Sequence, residues 1–135
     1  WLKVFLMWAV LILWKYDTMY ARMTLAKKCI PCEGNVPPLG LAEIEQFKQE
    51  LQSGWQVLDN KKLQREFVFK DFLHAMAFVD AVADIAESED HHPDIHVYYN
   101  KVILELATHA IKGLSENDFI VAAQIDELQK YHPLK

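Results

Sequence analysis

Cysteines, cations and long apolar runs are all scarce in this chain. Only two cysteines occur, Cys29 and Cys32, so no disulfide framework can be drawn. A tetrahedral zinc site would need two further Cys or His ligands at matching spacing, and no second cysteine pair exists. A thioredoxin-like Cys-x-x-Cys would want a strand before it and a helix directly after, whereas Asn35-Val36-Pro37-Pro38 follows. The pair reads as reduced and loop-borne, a structural disulfide being reasonable only if the chain is exported. Lys and Arg number 14 against 19 Asp and Glu, a formal charge of −5. Residues 1–22 hold Lys3, Lys15 and Arg22 against Asp17, which leaves the remainder at −7. Such a surface repels phosphate backbones, and no basic stripe offsets it, so direct nucleic-acid binding is not expected. The one apolar stretch, Trp1 to Trp14 broken by Lys3, falls short of the roughly 20 residues a membrane helix needs. No repeat or low-complexity segment is present.

What the chain does have is enough length, 135 residues, for one domain with a tail and a proper core. Its first segment admits three readings: a truncated targeting or anchor segment, upstream sequence ahead of the true start, or a helix packing on the domain. Met23-Thr24-Leu25-Ala26-Lys27-Lys28 looks like a natural beginning, which favours the first two. The expected organisation is therefore 1–22 as an apolar segment, 23–38 as an arm carrying Cys-x-x-Cys, and 39–132 as the domain. A cytoplasmic location is expected, with an organelle or export as the outcome if 1–22 is a genuine targeting segment.

Apolar spacing organises the domain. After Pro37-Pro38, Gly40 is placed as N-cap with Glu43 at N3, and Leu41, Ile44, Phe47 and Leu51 recur at helical spacing as a core face. Ser53-Gly54 ends that helix. Two alternating stretches follow, Trp55 to Asp59 and Leu63 to Phe69, with Leu63, Arg65, Phe67 and Phe69 on one side. They read as a hairpin around Asn60-Lys61-Lys62, whose turn lacks Asn-Gly. Asp71 caps a long helix in which Phe72, Met76, Val79, Ala83 and Ala86 form the expected core stripe. Ile95 to Tyr99 and Val102 to Thr108 alternate as a second hairpin. Gly113-Leu114-Ser115 turns the chain, and Ser115 caps a last helix bearing Val121, Ile125 and Leu128, expected to end near Tyr131. The order αββαββα implies an α+β fold, a four-stranded antiparallel sheet with three helices packed on one face.

The chemistry lies between the second helix and the last. His91-His92 precede Pro93, which biases His92 away from helical geometry and puts the pair on a helix-to-strand loop. A return strand of similar length brings His109 back toward that loop. Imidazoles both hold and release protons near neutral pH, so three together can donate and accept. Each residue also has a plainer reading. His91 and His92 could be a solvent-exposed loop pair, and His109 an edge-strand side chain bonded to backbone. Ser115-x-x-Asp118 is a capping box in its own right, yet a carboxylate fixed at a helix N-terminus is also placed to orient an imidazole. Glu87 is either a last-turn helix residue or a polar substrate contact, and Pro93 and Asp94 shape the loop. His96 alternates onto the Tyr98 face. A metal is the rival use of three His and a carboxylate, but adjacent residues rarely aim both rings at one ion.

The run Glu87-Ser-Glu-Asp-His91-His92-Pro93, with Tyr99-Asn100-Lys101-Val102, Thr108-His109, Gly113-Leu114-Ser115 and Asp118 at their spacings, resembles the signature of the pterin-4a-carbinolamine dehydratases. More loosely, the resemblance extends from about Cys29 to about Leu128. It implies the same αββαββα fold and dehydration of 4a-hydroxytetrahydropterin to quinonoid dihydropterin at a metal-free site without cofactor. By this resemblance His91, His92 and His109 are the catalytic set. Glu87, Pro93, Asp94, Tyr99, Thr108 and Asp118 are the residues that bind or orient substrate. It also implies a homodimer or homotetramer. Two binding roles are known in the family: dimerisation cofactor of a homeodomain transcription factor in animals, and Rubisco assembly factor in some plants and bacteria. The latter usually comes with an eroded histidine set, and here the set is complete.

Overall fold

Helix α1, Leu41–Glu50, starts where the sequence places it, with the Gly40 N–H donating to the Glu43 carboxylate at 2.9 Å. The computed structural model describes Leu25, residues 27–30 and residues 36–135. The apolar segment 1–22 and Cys32 lie outside the described residues. Ile44 is buried and Phe47 half-buried against Phe119, but Leu41 is 66% exposed and does not belong to the core face.

Strands β1 (Gln56–Leu58) and β2 (Lys62–Val68) form the first hairpin. Its turn puts both Asp59 and Asn60 at positive φ, with the Lys61 N–H donating to the Leu58 carbonyl at 2.9 Å. Asp and Asn tolerate that geometry better than other side chains, so they replace the Asn-Gly pair. Helix α2, Phe72–Glu89, is capped by Asp71, whose side chain accepts the His74 N–H. Its buried stripe is Ala75, Phe78, Val82 and Ala86. That is a correction: Phe72 is 50% exposed and Ala83 is exposed. The two stripes run side by side at the same helical period, with half-buried Met76 and Val79 on their shared border. Periodicity fixes the pitch of a stripe, whereas its rotation depends on neighbours, here Phe67 and Phe69, which meet Phe78 at ring separations of 4.8 and 4.9 Å.

Strands β3 (Asp94–Tyr98) and β4 (Lys101–Leu106) complete an antiparallel sheet in the order β1-β2-β4-β3. Leu63, Arg65 and Phe67 of β2 and Val102, Leu104 and Leu106 of β4 are buried beneath the helices. The alternate residues, among them Gln64, Glu66 and Glu105, form the other, partly exposed face. β4 stops at Leu106, before the expected end at Thr108. Thr108 bridges Gly113, and His109–Ile111 make a single 3₁₀ turn. A Cβ on Gly113 would come within 2.6 Å of Pro38, so only glycine lets the arm cross there.

Helix α3, Glu116–Leu128, is shorter than expected, and the chain beyond it continues in tight turns to Tyr131. Phe119, Ile120, Val121, Ala122 and Ile125 are all buried. A helix covered on nearly every side carries little amphipathic signal, which is why Phe119 and Ile120 blur its stripe. Among the described residues, three α-helices and four antiparallel strands follow the order αββαββα. Among the described residues no helix is long and apolar enough to cross a membrane.

Candidate active site

Helix α2 ends with Asp90 in the left-handed region, φ 50°, its N–H returned to the Ala86 carbonyl. The His91 N–H makes a second bond to the same carbonyl at 3.2 Å. This tight exit turns His91 toward the first turn of α3. There His91 Nε2 lies 2.7 Å from Asp118 Oδ1, with the His side chain 12% exposed and Asp118 fully buried.

Asp118 is held from the other side. Its Oδ2 accepts the Ser115 N–H at 2.8 Å, closing the capping box, and the Thr108 hydroxyl at 2.8 Å. Thr108 Oγ1 also lies 2.7 Å from Ser115 Oγ. Both carboxylate oxygens are thus acceptors. The network assigns the proton of the His91–Asp118 contact to Nε2, which leaves Nδ1 of a neutral ring as an acceptor. The capping carboxylate is also the hydrogen-bond partner of His91.

His92 points elsewhere: its Nε2 is 2.8 Å from Glu87 Oε1, both side chains being more than half exposed. Glu87 is therefore a partner of His92 on the last turn of α2. His109 follows Thr108 directly, about 3.8 Å away along the backbone, and its side chain is exposed at the start of the 3₁₀ turn. Pro93 is half-buried between His92 and β3. One hydrogen-bonded chain thus runs His91–Asp118–Thr108, with His109 next in sequence to Thr108 and His92 next to His91.

Two further expected site residues belong to the second hairpin. Asp94 faces Glu105 across β3 and β4, so it shares the open sheet face, opposite the buried side that Leu104 and Leu106 occupy. Pairing register decides this, since neighbouring residues of a strand point to opposite faces. Tyr99 sits at positive φ in the β3–β4 turn, 68% exposed, its ring stacked on Phe72 at 6.5 Å. At about 3.3 Å per strand residue it is roughly 20 Å from His92. His96 is likewise on the open face, its Nε2 3.9 Å from Glu105.

A buried charge cluster went unread in the sequence. Arg65 and Asp126 are 6% and 3% exposed, with Arg65 Nη1 2.5 Å from Asp126 Oδ1. Trp55 Nε1 donates to the same oxygen at 2.9 Å and the Gln52 N–H to Oδ2 at 2.8 Å. Burial pushes the Asp126 carboxyl above its ordinary range, outweighing these donors and Arg65, and burial lowers Arg65 against the pull of Asp126. The available signal was Arg65 standing on an otherwise apolar strand face. Beside the cluster lies a hollow of about 280 Å³ lined by Leu25, Glu50, Gln52, Ala123, Gln124, Asp126 and Glu127. Asp126 is eight residues along α3 from Asp118, about 12 Å, so this hollow is separate from the histidines.

The model of the family described as Pterin 4 alpha carbinolamine dehydratase matches residues 37–128, which include the whole His91–Asp118–Thr108 chain and His109. The chain belongs to that family. A relative from Nitrosomonas eutropha, named provisionally as a pterin-4-alpha-carbinolamine dehydratase, is 54% identical over 102 residues, 76% of this chain and 89% of that protein. One from Nitrosospira multiformis, named in the same way, is 57% identical over 76% of this chain and 88% of its own length. Among solved structures, a transcriptional coactivator/pterin dehydratase from Brucella melitensis superposes with a TM-score of 0.63 at 36% identity, covering 67% of this chain and 97% of that one. A pterin dehydratase-like protein described as a RuBisCO assembly factor in the alpha-carboxysome superposes at 0.50 with 25% identity, over 57% and 90% of the two chains. Membership in the dehydratase family thus spans relatives named for chemistry and relatives named for assembly.

Proposed function

We propose that this protein is a 4a-hydroxytetrahydrobiopterin dehydratase, a hydro-lyase that eliminates water from a pterin 4a-carbinolamine to give the quinonoid dihydropterin by histidine acid–base catalysis. Loss of the 4a-hydroxyl needs a proton on the departing oxygen, and N5 must give one up as the C=N bond forms. His91 and His109 carry these transfers, either one facing the hydroxyl according to its stereochemistry, and His92 holds the pterin. Asp118 fixes the His91 ring so that the same nitrogen is always presented to substrate. The observation that carries the reading is the bonded chain from His91 through buried Asp118 to Thr108, with His109 next in sequence. The test adds purified protein to a pterin-dependent hydroxylase reaction and follows decay of the carbinolamine. Acceleration in proportion to protein supports the reading, and decay at the uncatalysed rate sinks it.

A second reading, a non-catalytic binding protein of the same fold, draws support from the names of the two solved relatives. Retention of the full histidine set favours the enzyme. Assembly into a homodimer or homotetramer is part of the proposal, to be read from the mass in solution.

A further inference from the structure

The family match begins at residue 37, yet part of the arm before it is fastened to the end of α2, just before His91, and to the start of α3, which carries Asp118. Glu89, the last residue of α2 and two before His91, accepts the Cys29 N–H on Oε2 at 2.8 Å and the Gln124 side-chain amide of α3 on Oε1 at 3.0 Å. Asn117, directly before Asp118, bonds Ile30 twice: its Oδ1 accepts the Ile30 N–H at 3.1 Å and its Nδ2 donates to the Ile30 carbonyl at 2.6 Å. Lys27 pairs with Glu116 at 2.6 Å, and Cys29 Sγ lies 3.8 Å from the Asn117 carbonyl. Leu25, 3% exposed, anchors the arm in the hydrophobic core.

We propose that residues 27–30 form a clip across the α2–α3 seam that positions the His91–Asp118 pair, with Glu89 and Asn117 as the positioning residues. The two-pronged Asn117–Ile30 contact resists sliding of the arm along α3, and Glu89 ties the same strand of arm to the end of α2. His91, two residues past the end of α2, and Asp118 on α3 meet through one hydrogen bond, so a small opening of the seam acts directly on that bond. Displacements near 1 Å from productive geometry cost about a hundredfold in rate. The catalytic consequence rests on the dehydratase reading; the geometric one does not.

The test uses the full chain with Asn117→Ala, Glu89→Ala and, as a conservative variant, Asn117→Asp, which keeps an acceptor for the Ile30 N–H. Turnover on the carbinolamine and nitrogen NMR of the His91 ring are read together, with circular dichroism to verify folding. The clip predicts that each alanine variant lowers kcat about tenfold with KM within about twofold. It also predicts a loss of the single Nε2–H form of His91 in favour of a tautomer mixture, and partial recovery in Asn117→Asp. Folded alanine variants with wild-type kcat and an unchanged His91 tautomer would overturn the proposal. If Asn117→Ala does not fold, Glu89→Ala decides alone, being only half-buried. If the wild-type protein has no turnover, the dehydratase reading falls and the NMR comparison still decides the clip.

Discussion

Replacing Asp118 by Asn keeps the shape of the residue and removes its charge. In the protein one oxygen takes the Ser115 N–H and the Thr108 hydroxyl while the other takes His91 Nε2–H, all in a fully buried position. An amide has one oxygen only. If it stays on the Ser115 cap, its NH₂ faces His91, and the ring must switch to the Nδ1–H tautomer, which takes the acceptor nitrogen away from substrate. The loss is one charge-assisted hydrogen bond, about 1.5–3 kcal/mol, with a weakened cap adding about 1 kcal/mol. Stability should fall by about 3 kcal/mol, or roughly 10 °C in Tm for a domain of this size. kcat should fall by about 10² to 10³, with KM changed less than about threefold, since the substrate itself meets the same shape. Carbinolamine decay under saturating substrate and a thermal melt measure both. If Tm falls as stated while kcat stays within about twofold of wild type, Asp118 is only a helix cap and the orienting role is wrong.

Three further outcomes are expected. Arg65→Met strands the buried Asp126 carboxylate and should cost about 3–5 kcal/mol in urea unfolding at neutral pH, whereas Arg65→Met/Asp126→Leu should recover most of it. Burial already raises Asp126, so the native state holds its proton more tightly than the unfolded chain, and the single variant should regain stability as pH is lowered; a loss under about 1 kcal/mol would contradict this. Burial disfavours ionisation of Glu89, but the Cys29 N–H and the Gln124 amide outweigh it and hold the carboxyl below its ordinary range. Its contribution is present above that range and lost as pH falls, so amide exchange at Cys29 and Ile30 should lose protection between about pH 5 and 3, and constant protection would count against the contact. Tyr99→Ala removes an exposed stack on Phe72 and should leave kcat within about twofold while costing under about 1 kcal/mol; a tenfold fall would place Tyr99 at a working site.

Element order was legible because each element carries a local sign: Gly40 with Glu43, Asp71 and Ser115 as caps, and period-two alternation in the strands. Rotations and ends were less so. The α2 stripe was read one row off because Phe72 and Ala83 keep helical spacing while facing outward, and only Phe67 and Phe69 beneath the helix decide the rotation. At the site, the loop position of His91 and His92 and the double role of Asp118 follow from Pro93 and the Ser115-x-x-Asp118 spacing. The placement of Asp94 on the open sheet face and of Tyr99 in the β3–β4 turn was not legible, because pairing register and turn geometry decide both. Arg65 could have been flagged as a charge on an apolar strand face. Its partner could not, because Asp126 sits on a helix whose all-round burial hides which side faces the sheet.

The central claim is that His91 and His109 move the two protons of the elimination. Its most direct measurement compares carbinolamine dehydration by the wild-type protein with His91→Ala, His109→Ala and the double variant, all shown to be folded. Each single variant is predicted to lose about 10² to 10⁴ in kcat, the contribution expected of a general acid or base, and the double variant to approach the uncatalysed rate. Wild-type turnover in both single variants would contradict the account.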